Sequence, residues 1–176
     1  MGGAPRCGAD GAGHAFFDRR PDGSFDDDDV AARVAPLVDA IDHGQRMIGR
    51  TEHTVVLGFS NGAVMAAALI EQHPELFTGG VLLRPKPPFR STPAPSGLTL
   101  PVLVVDGRND RRRTPEDGAR TAERLRQGGA DVEHVVLDIG HGITEDDERA
   151  VLDWLGRTSG RVRNAFPDEG PDAYDR

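Results

Sequence analysis

The chain has 176 residues, the length of one domain, with 37% hydrophobic residues and a formal net charge of -8. That acidic balance argues against nucleic acid or an anionic membrane surface as a partner. The single cysteine, Cys7, excludes an internal disulfide. No apolar run approaches the roughly 18 residues that span a bilayer, and the first twenty residues lack the apolar core of a signal peptide. A cytoplasmic protein is expected.

Residues 1–25 read as an irregular leader, Gly/Ala-rich and without periodicity, with a turn at Pro21-Asp22-Gly23. The acidic run Asp26 to Asp29 suits a helix N-terminus, where carboxylates cap free N–H groups and face the positive end of the dipole. Val30, Val34, Leu37, Val38, Ile41 and Ile48 then fall at helical spacing. Pro36 is expected to kink or split this helix, because it removes a donor and clashes with the preceding turn. Thr54 to Leu57 reads as a short buried strand. Asn61 to His73 reads as a helix that ends before Pro74. A second strand covers Gly80 to Leu83. Residues 84–100, with Pro85, Pro87, Pro88, Pro93 and Pro95, form a loop. A third strand follows over Val102 to Val105. A helix begins with Thr114 as cap and Pro115 at its first position and stops at Gly128-Gly129. A fourth strand spans Val132 to Leu137, and Thr144 caps a last helix running to about Leu155. Residues 159–176 read as a polar tail, so the domain is expected over 26–158.

Short apolar strands alternating with helices argue an α/β fold, a three-layer sandwich around a mostly parallel sheet of about four strands. In such sheets ligands bind beyond the carboxyl ends of the strands. Ser60, Asp110 and His141 follow the first, third and fourth strands, so the topology converges them on one sheet edge.

Each of the three has fitting local chemistry. Gly58-Phe59-Ser60-Asn61-Gly62 between a strand and a helix has the form of a nucleophile elbow, a tight turn with small residues on both sides of the serine. The backbone N–H of Asn61 would then be an oxyanion donor. Asp110, in Gly107-Arg108-Asn109-Asp110, would orient a histidine and stabilise its charged form. Asp106 is its rival but lies within the strand end. His141, in Gly140-His141-Gly142, would take the serine proton and pass it to a leaving group. His73 and His43 sit on helices, His134 in a strand, and His14 and His53 in irregular segments. No histidine pair shows metal-ligand spacing with a carboxylate, so no metal is expected.

These residues resemble the phospholipase/carboxylesterase branch of the α/β-hydrolase superfamily, close to its dienelactone-hydrolase-like esterases. The matching words are Phe16-Phe17-Asp18-Arg19-Arg20, Leu57 to Ala63, Val81-Leu82-Leu83-Arg84-Pro85, Val105 to Asp110 and Ile139 to Ile143. The resemblance implies Ser60 as nucleophile, Asp110 as acid and His141 as base, hydrolysing small carboxylic esters or thioesters without a cofactor. It makes Arg84 a substrate-pocket candidate without a catalytic role, in a pocket expected to be built largely by front strands not legible in this sequence and by the 84–100 loop. The sequence departs from the family in two places. Arg111-Arg112-Arg113 stands where an apolar segment is usual. The family also has further strands ahead of the first helix, one of them ending in a His-Gly-rich loop that donates a second oxyanion N–H. None is legible here, where the Gly/Ala-rich leader stands instead. Either the natural start lies upstream or the protein is shortened. The Thr54–Leu57 strand would become a sheet edge, and loss of one oxyanion donor costs roughly 100- to 1000-fold in rate. A homodimer through that edge, in a weakly active or non-catalytic protein, is the alternative function.

Overall fold

The computed structural model describes residues 6–7, 14–18, 20, 24–49 and 54–165. Two-residue strands β1 (Arg6–Cys7) and β2 (His14–Ala15) pair antiparallel ahead of helix α1 (Asp27–Ile48). Then come β3 (Val55–Phe59), α2 (Asn61–Gln72), a 3-10 turn at Pro74–Leu76 and β4 (Gly79–Leu83). The chain continues through β5 (Pro101–Gly107), α3 (Pro115–Gln127), β6 (Asp131–Leu137) and α4 (Glu145–Ala165).

Helix α1 starts where the acidic run predicts. Asp26 is the N-cap, and its carboxylate accepts from the Asp28 N–H at 3.0 Å. The helix ends at Gly49, whose φ of 63° is the left-handed conformation that glycine adopts without a Cβ penalty. Pro36 lies inside the helix and does not split it. Val30 and Val34 before the proline, and Leu37, Val38 and Ile41 after it, lie on one apolar stripe packed into the main core. That shared burial holds the two halves as a single helix, since tertiary packing outweighs one lost hydrogen bond.

Helix α2 is buried all round from Ala63 to Ile70, as expected for a helix clamped between other layers. Helix α3 carries a capping box in which Thr114 and Asp117 satisfy each other's backbone. Helix α4 runs beyond the expected end near Leu155 to Ala165, so the expected tail begins inside a helix. Its later residues are Gly-, Ser- and Arg-containing and carry little apolar periodicity, which hid the continuation.

The sheet is parallel throughout, in the order β3-β4-β5-β6. Side chains alternate between its faces. Leu82, Val102 and Val104 join the core beneath α1, α2 and α3. Val81, Leu83, Leu103 and Val105 meet Trp154 of α4 on the other face. The result is the three-layer α/β sandwich expected from the sequence. Strand β3 stands at its edge, and Leu57 is 57% exposed there. No helix among the described residues is long and apolar enough to cross a membrane.

The turn from α3 into β6 depends on Gly129. Its φ is +107°, and an added Cβ would sit 2.6 Å from the Leu98 carbonyl oxygen. Gly129→Ala is therefore expected to cost about 1–3 kcal/mol, read as a lower Tm with an unchanged circular dichroism spectrum. An unaltered Tm would contradict the strained turn.

Candidate functional site

The sheet's hydrogen-bond ladder continues past the strand ends into the loops that carry the candidate residues. The Ser60 N–H donates to the Leu83 carbonyl, the Arg84 N–H to Val105 and the Arg108 N–H to Leu137, each at 2.8 Å. Each loop is thus tied at its first residue to the neighbouring strand.

Ser60 sits between β3 and α2 with φ 54° and ψ -108°, a sparsely populated conformation for a residue with a side chain. The turn is so tight that a Cβ on Gly58 would overlap the Gly62 carbonyl and the Ala63 Cα. Gly58 is therefore required. Gly62 is not, because an added Cβ would meet only the Phe16 ring at 3.7 Å, an ordinary contact. The expected need for small residues on both sides of the serine thus holds on one side only. Asn61 opens α2, where first-turn N–H groups have no acceptor within the helix. Its side-chain oxygen accepts the Phe16 N–H at 3.1 Å, which ties the Phe-Phe word of the leader to the elbow.

His141 Nε2 lies 3.0 Å from Ser60 Oγ, and its Nδ1 lies 2.7 Å from Asp110 Oδ2. The ring also packs against Phe59, with centroids 5.1 Å apart. The other oxygen of Asp110 accepts the Arg112 N–H at 2.7 Å and the Arg113 N–H at 3.0 Å. Burial pushes the Asp110 carboxyl up. The Arg112 N–H, the His141 ring and the Arg113 N–H outweigh that and hold it below the ordinary carboxylate range. An ionised carboxylate only accepts hydrogen bonds, so the proton belongs on Nδ1 and Nε2 is left to accept from the serine hydroxyl. The arginine run that departs from the family thus supplies backbone donors to Asp110, whatever its side chains do.

Asp106 turns away from this line. Its carboxylate meets His134 Nε2 at 2.7 Å on the far side of the strand end. Burial pushes this carboxyl up, and the opposing His134 hydrogen bond does not cancel it. No cluster among the described residues could hold a metal ion.

Arg84 corrects a sequence expectation. It is not a pocket-lining residue: it is 0% exposed, with φ 55°. Its guanidinium forms a two-pronged pair with Asp147, NH1 on Oδ1 and NH2 on Oδ2, the latter at 2.8 Å. It also donates to the carbonyls of Gly140 at 3.4 Å and Gly142 at 3.1 Å, the two neighbours of His141. Burial pushes Asp147 up, but Arg84 and the Thr144 N–H more than offset it and keep the carboxyl below its usual range. The sequence offered only a Leu-Leu-Arg-Pro word here. A basic residue after a buried strand, with an aspartate at the third position of a later helix, was the signal for this pair, and it is not a specific one.

A cavity of about 500 Å³ adjoins Ser60, lined by Phe16, Val56, Phe59, Met65 and Leu69 among others. The 84–100 loop does not build it. Lys86, Phe89 and Arg90 of that loop face α3 across a separate cavity of about 1050 Å³.

No protein-family model matches the chain. A protein of Bacillus subtilis (strain 168) named as hydrolase MhqD is 31% identical over 140 residues, spanning 79% of this chain and 70% of that one. Among solved structures, the Bacillus cereus carboxylesterase is 25% identical with a TM-score of 0.76, over 82% of this chain and 69% of its own. A carboxylesterase from Mesorhizobium loti is 27% identical with a TM-score of 0.76, again over 82% of this chain and 69% of its own.

The depressed Asp110 carboxyl has a consequence for stability. A group whose folded pKa is lowered stabilises the fold above its unfolded value and loses that contribution as pH falls through the folded one. Asp110→Asn is expected to unfold at lower urea than the parent at pH 7, with the gap beginning to narrow below about pH 4, where free aspartate protonates, and shrinking further as pH falls toward the lower folded value. A gap that does not narrow as pH falls would contradict this.

Proposed function

Because the chain belongs to the phospholipase/carboxylesterase branch of the α/β-hydrolase superfamily, we propose that it is a serine hydrolase of small carboxylic esters or thioesters, with Ser60, His141 and Asp110 in the reacting line. The observation that carries this reading is the continuous hydrogen-bonded path from Ser60 Oγ through the His141 ring to Asp110, at 3.0 and 2.7 Å.

Ser60 Oγ attacks the acyl carbonyl while His141 Nε2 removes the hydroxyl proton. The new C–O bond displaces the carbonyl π pair onto oxygen, and the Asn61 N–H at the positive end of α2 donates to that oxyanion. Collapse of the tetrahedral intermediate breaks the bond to the leaving alkoxide or thiolate, which takes the proton from His141. Water then attacks the acyl-enzyme, again deprotonated by His141, and releases the acid and free Ser60. Asp110 keeps the ring oriented and balances its charge. The apolar lining beside Ser60 favours short acyl or aryl groups over charged ones.

Strand β3 favours a second reading. It is an edge strand with Val55 and Leu57 exposed, and exposed edges are templates for pairing with another chain. Two copies would associate through it. A compact monomer by size exclusion and scattering at micromolar concentration removes this reading.

Ser60→Ala is expected to lower p-nitrophenyl acetate hydrolysis by about 10⁴-fold or more and to abolish labelling by a fluorophosphonate probe. Unchanged hydrolysis would refute the nucleophile. His141→Ala is expected to lower the same rate by about 10⁴-fold or more, because the serine hydroxyl loses the group that takes its proton. Unchanged hydrolysis by that variant would rule out His141 in this role.

A further inference from the structure

We infer that Arg84 is a positioning residue that fixes the His141 loop from beneath, with Asp147 as its anchor, so that the imidazole reaches Ser60; this rests on the serine-hydrolase reading above. The His141 ring is held by Asp110 and packs against Phe59, but a Cβ added to Gly140 or Gly142 would meet nothing within 4 Å, so side chains do not seat the loop on either side of the ring. Its backbone oxygens are what the protein grips. The Gly140 and Gly142 carbonyls both accept from Arg84, and the Ile139 carbonyl accepts the Asn109 N–H at 3.0 Å.

The geometry of the arginine suits this task. Its own N–H is committed to the Val105 carbonyl, so the residue is registered on the sheet. Its left-handed φ of 55° belongs to the turn leaving β4. Asp147 takes both terminal nitrogens, and it accepts from the Thr144 N–H at 2.9 Å and the Thr144 hydroxyl at 3.1 Å as well. The start of α4 is therefore locked to the end of β4, and the loop between β6 and α4 is strung across the guanidinium. A planar five-donor fork can address a carboxylate and two carbonyls at once, which an ammonium cannot. Arg84 and Asp147 are both shielded from solvent, so the guanidinium has no water to compete for its donors from the core side.

The clamp acts on kcat and leaves ground-state binding alone, because Arg84 does not touch the cavity beside Ser60. Displacing a base by about 1 Å costs on the order of 100-fold in rate. Arg84→Lys retains the charge for Asp147 but loses the fork. It is expected to lower kcat about 100-fold with KM little changed, and to slow fluorophosphonate labelling of Ser60 in parallel. Backbone amide deuterium exchange over 139–143 should rise while the strands stay protected.

Removing the charge of Arg84 alone leaves Asp147 buried and unpaired, which risks the fold. The paired variant Arg84→Met with Asp147→Asn avoids this, since both charges go together and the asparagine oxygen can still accept from Thr144. It is expected to keep a parent-like Tm yet show the same loss of kcat and the same loop exchange. If either variant folds and retains parental kcat and parental exchange over 139–143, Arg84 does not position the loop. If kcat falls only in proportion to the unfolded fraction, the role is structural and the inference is overturned. Parental hydrolysis by Ser60→Ala would instead refute the serine reading, and the exchange measurement would still decide the clamp.

Discussion

The in-register parallel pairing of β3, β4, β5 and β6 is the constraint on which the site depends. Parallel strands end on the same side, and their side chains alternate in phase, so whatever follows each strand emerges along one line. Here the ladder does more than align the loops. Ser60, Arg84 and Arg108 each donate a backbone N–H to a carbonyl at or near the end of the next strand. The elbow, the clamp and the acid loop are therefore extensions of the sheet, and their relative positions inherit its rigidity. A slip of one residue in any pairing would turn alternate side chains to the opposite face and would carry Ser60 away from His141.

Two carboxylates, Asp110 on the loop after β5 and Asp147 in the first turn of α4, then converge on one histidine from different directions. Asp110 meets the ring itself, and Asp147 reaches the flanking backbone through Arg84. Both are held below their ordinary pKa against the upward push of burial. Each does so with donors that cannot be withdrawn at neutral pH: backbone N–H groups for Asp110, a guanidinium for Asp147. Asp106 illustrates the opposite arrangement. Burial weighs more heavily on it than on these two, His134 is its main partner and its second oxygen has no donor among the described residues, so its carboxyl remains raised. The difference lies in deeper desolvation met by fewer donors.

What was legible in the sequence followed from local rules. The alternation of short apolar runs with periodic helices requires only nearest-neighbour patterns, and so do the Gly-x-Ser-x-Gly elbow and the turns around Asp110 and His141. The distinction between Asp110 and Asp106 was also readable, because an aspartate inside a strand has less reach than one in the loop beyond it. Three features were not legible. Pro36 is a local breaker overruled by a continuous stripe of burial that only the tertiary structure reveals. Arg112 and Arg113 serve Asp110 through their backbone N–H groups, which the identity of the side chains does not encode. Arg84 pairs with a residue sixty-three positions away, and nothing in the intervening sequence marks the partner. Polar contacts whose residues each sit in a recognisable turn were visible, and the Arg84–Asp147 pair, which carries no such local mark, was not.

The same division bears on how this site attains its geometry. An aromatic ring seated in a core is placed by packing, which is diffuse and tolerant of small shifts. The His141 loop has glycine on both sides and almost no packing of its own. It approaches β5 so closely that a Cβ on Gly107 would lie 2.6 Å from the carbonyl oxygens of both Ile139 and Gly140. The Ile139, Gly140 and Gly142 carbonyls are each taken by a donor from the sheet side. With its oxygens drawn inward, the loop is left to present the His141 ring outward, against Phe59 and toward Ser60. Hydrogen bonds weaken steeply with angle, so a loop held this way is placed by direction as well as by contact. Flanking glycines thus do not make the loop loose. They strip it of competing side-chain contacts and let a buried arginine and a loop amide determine where its histidine goes.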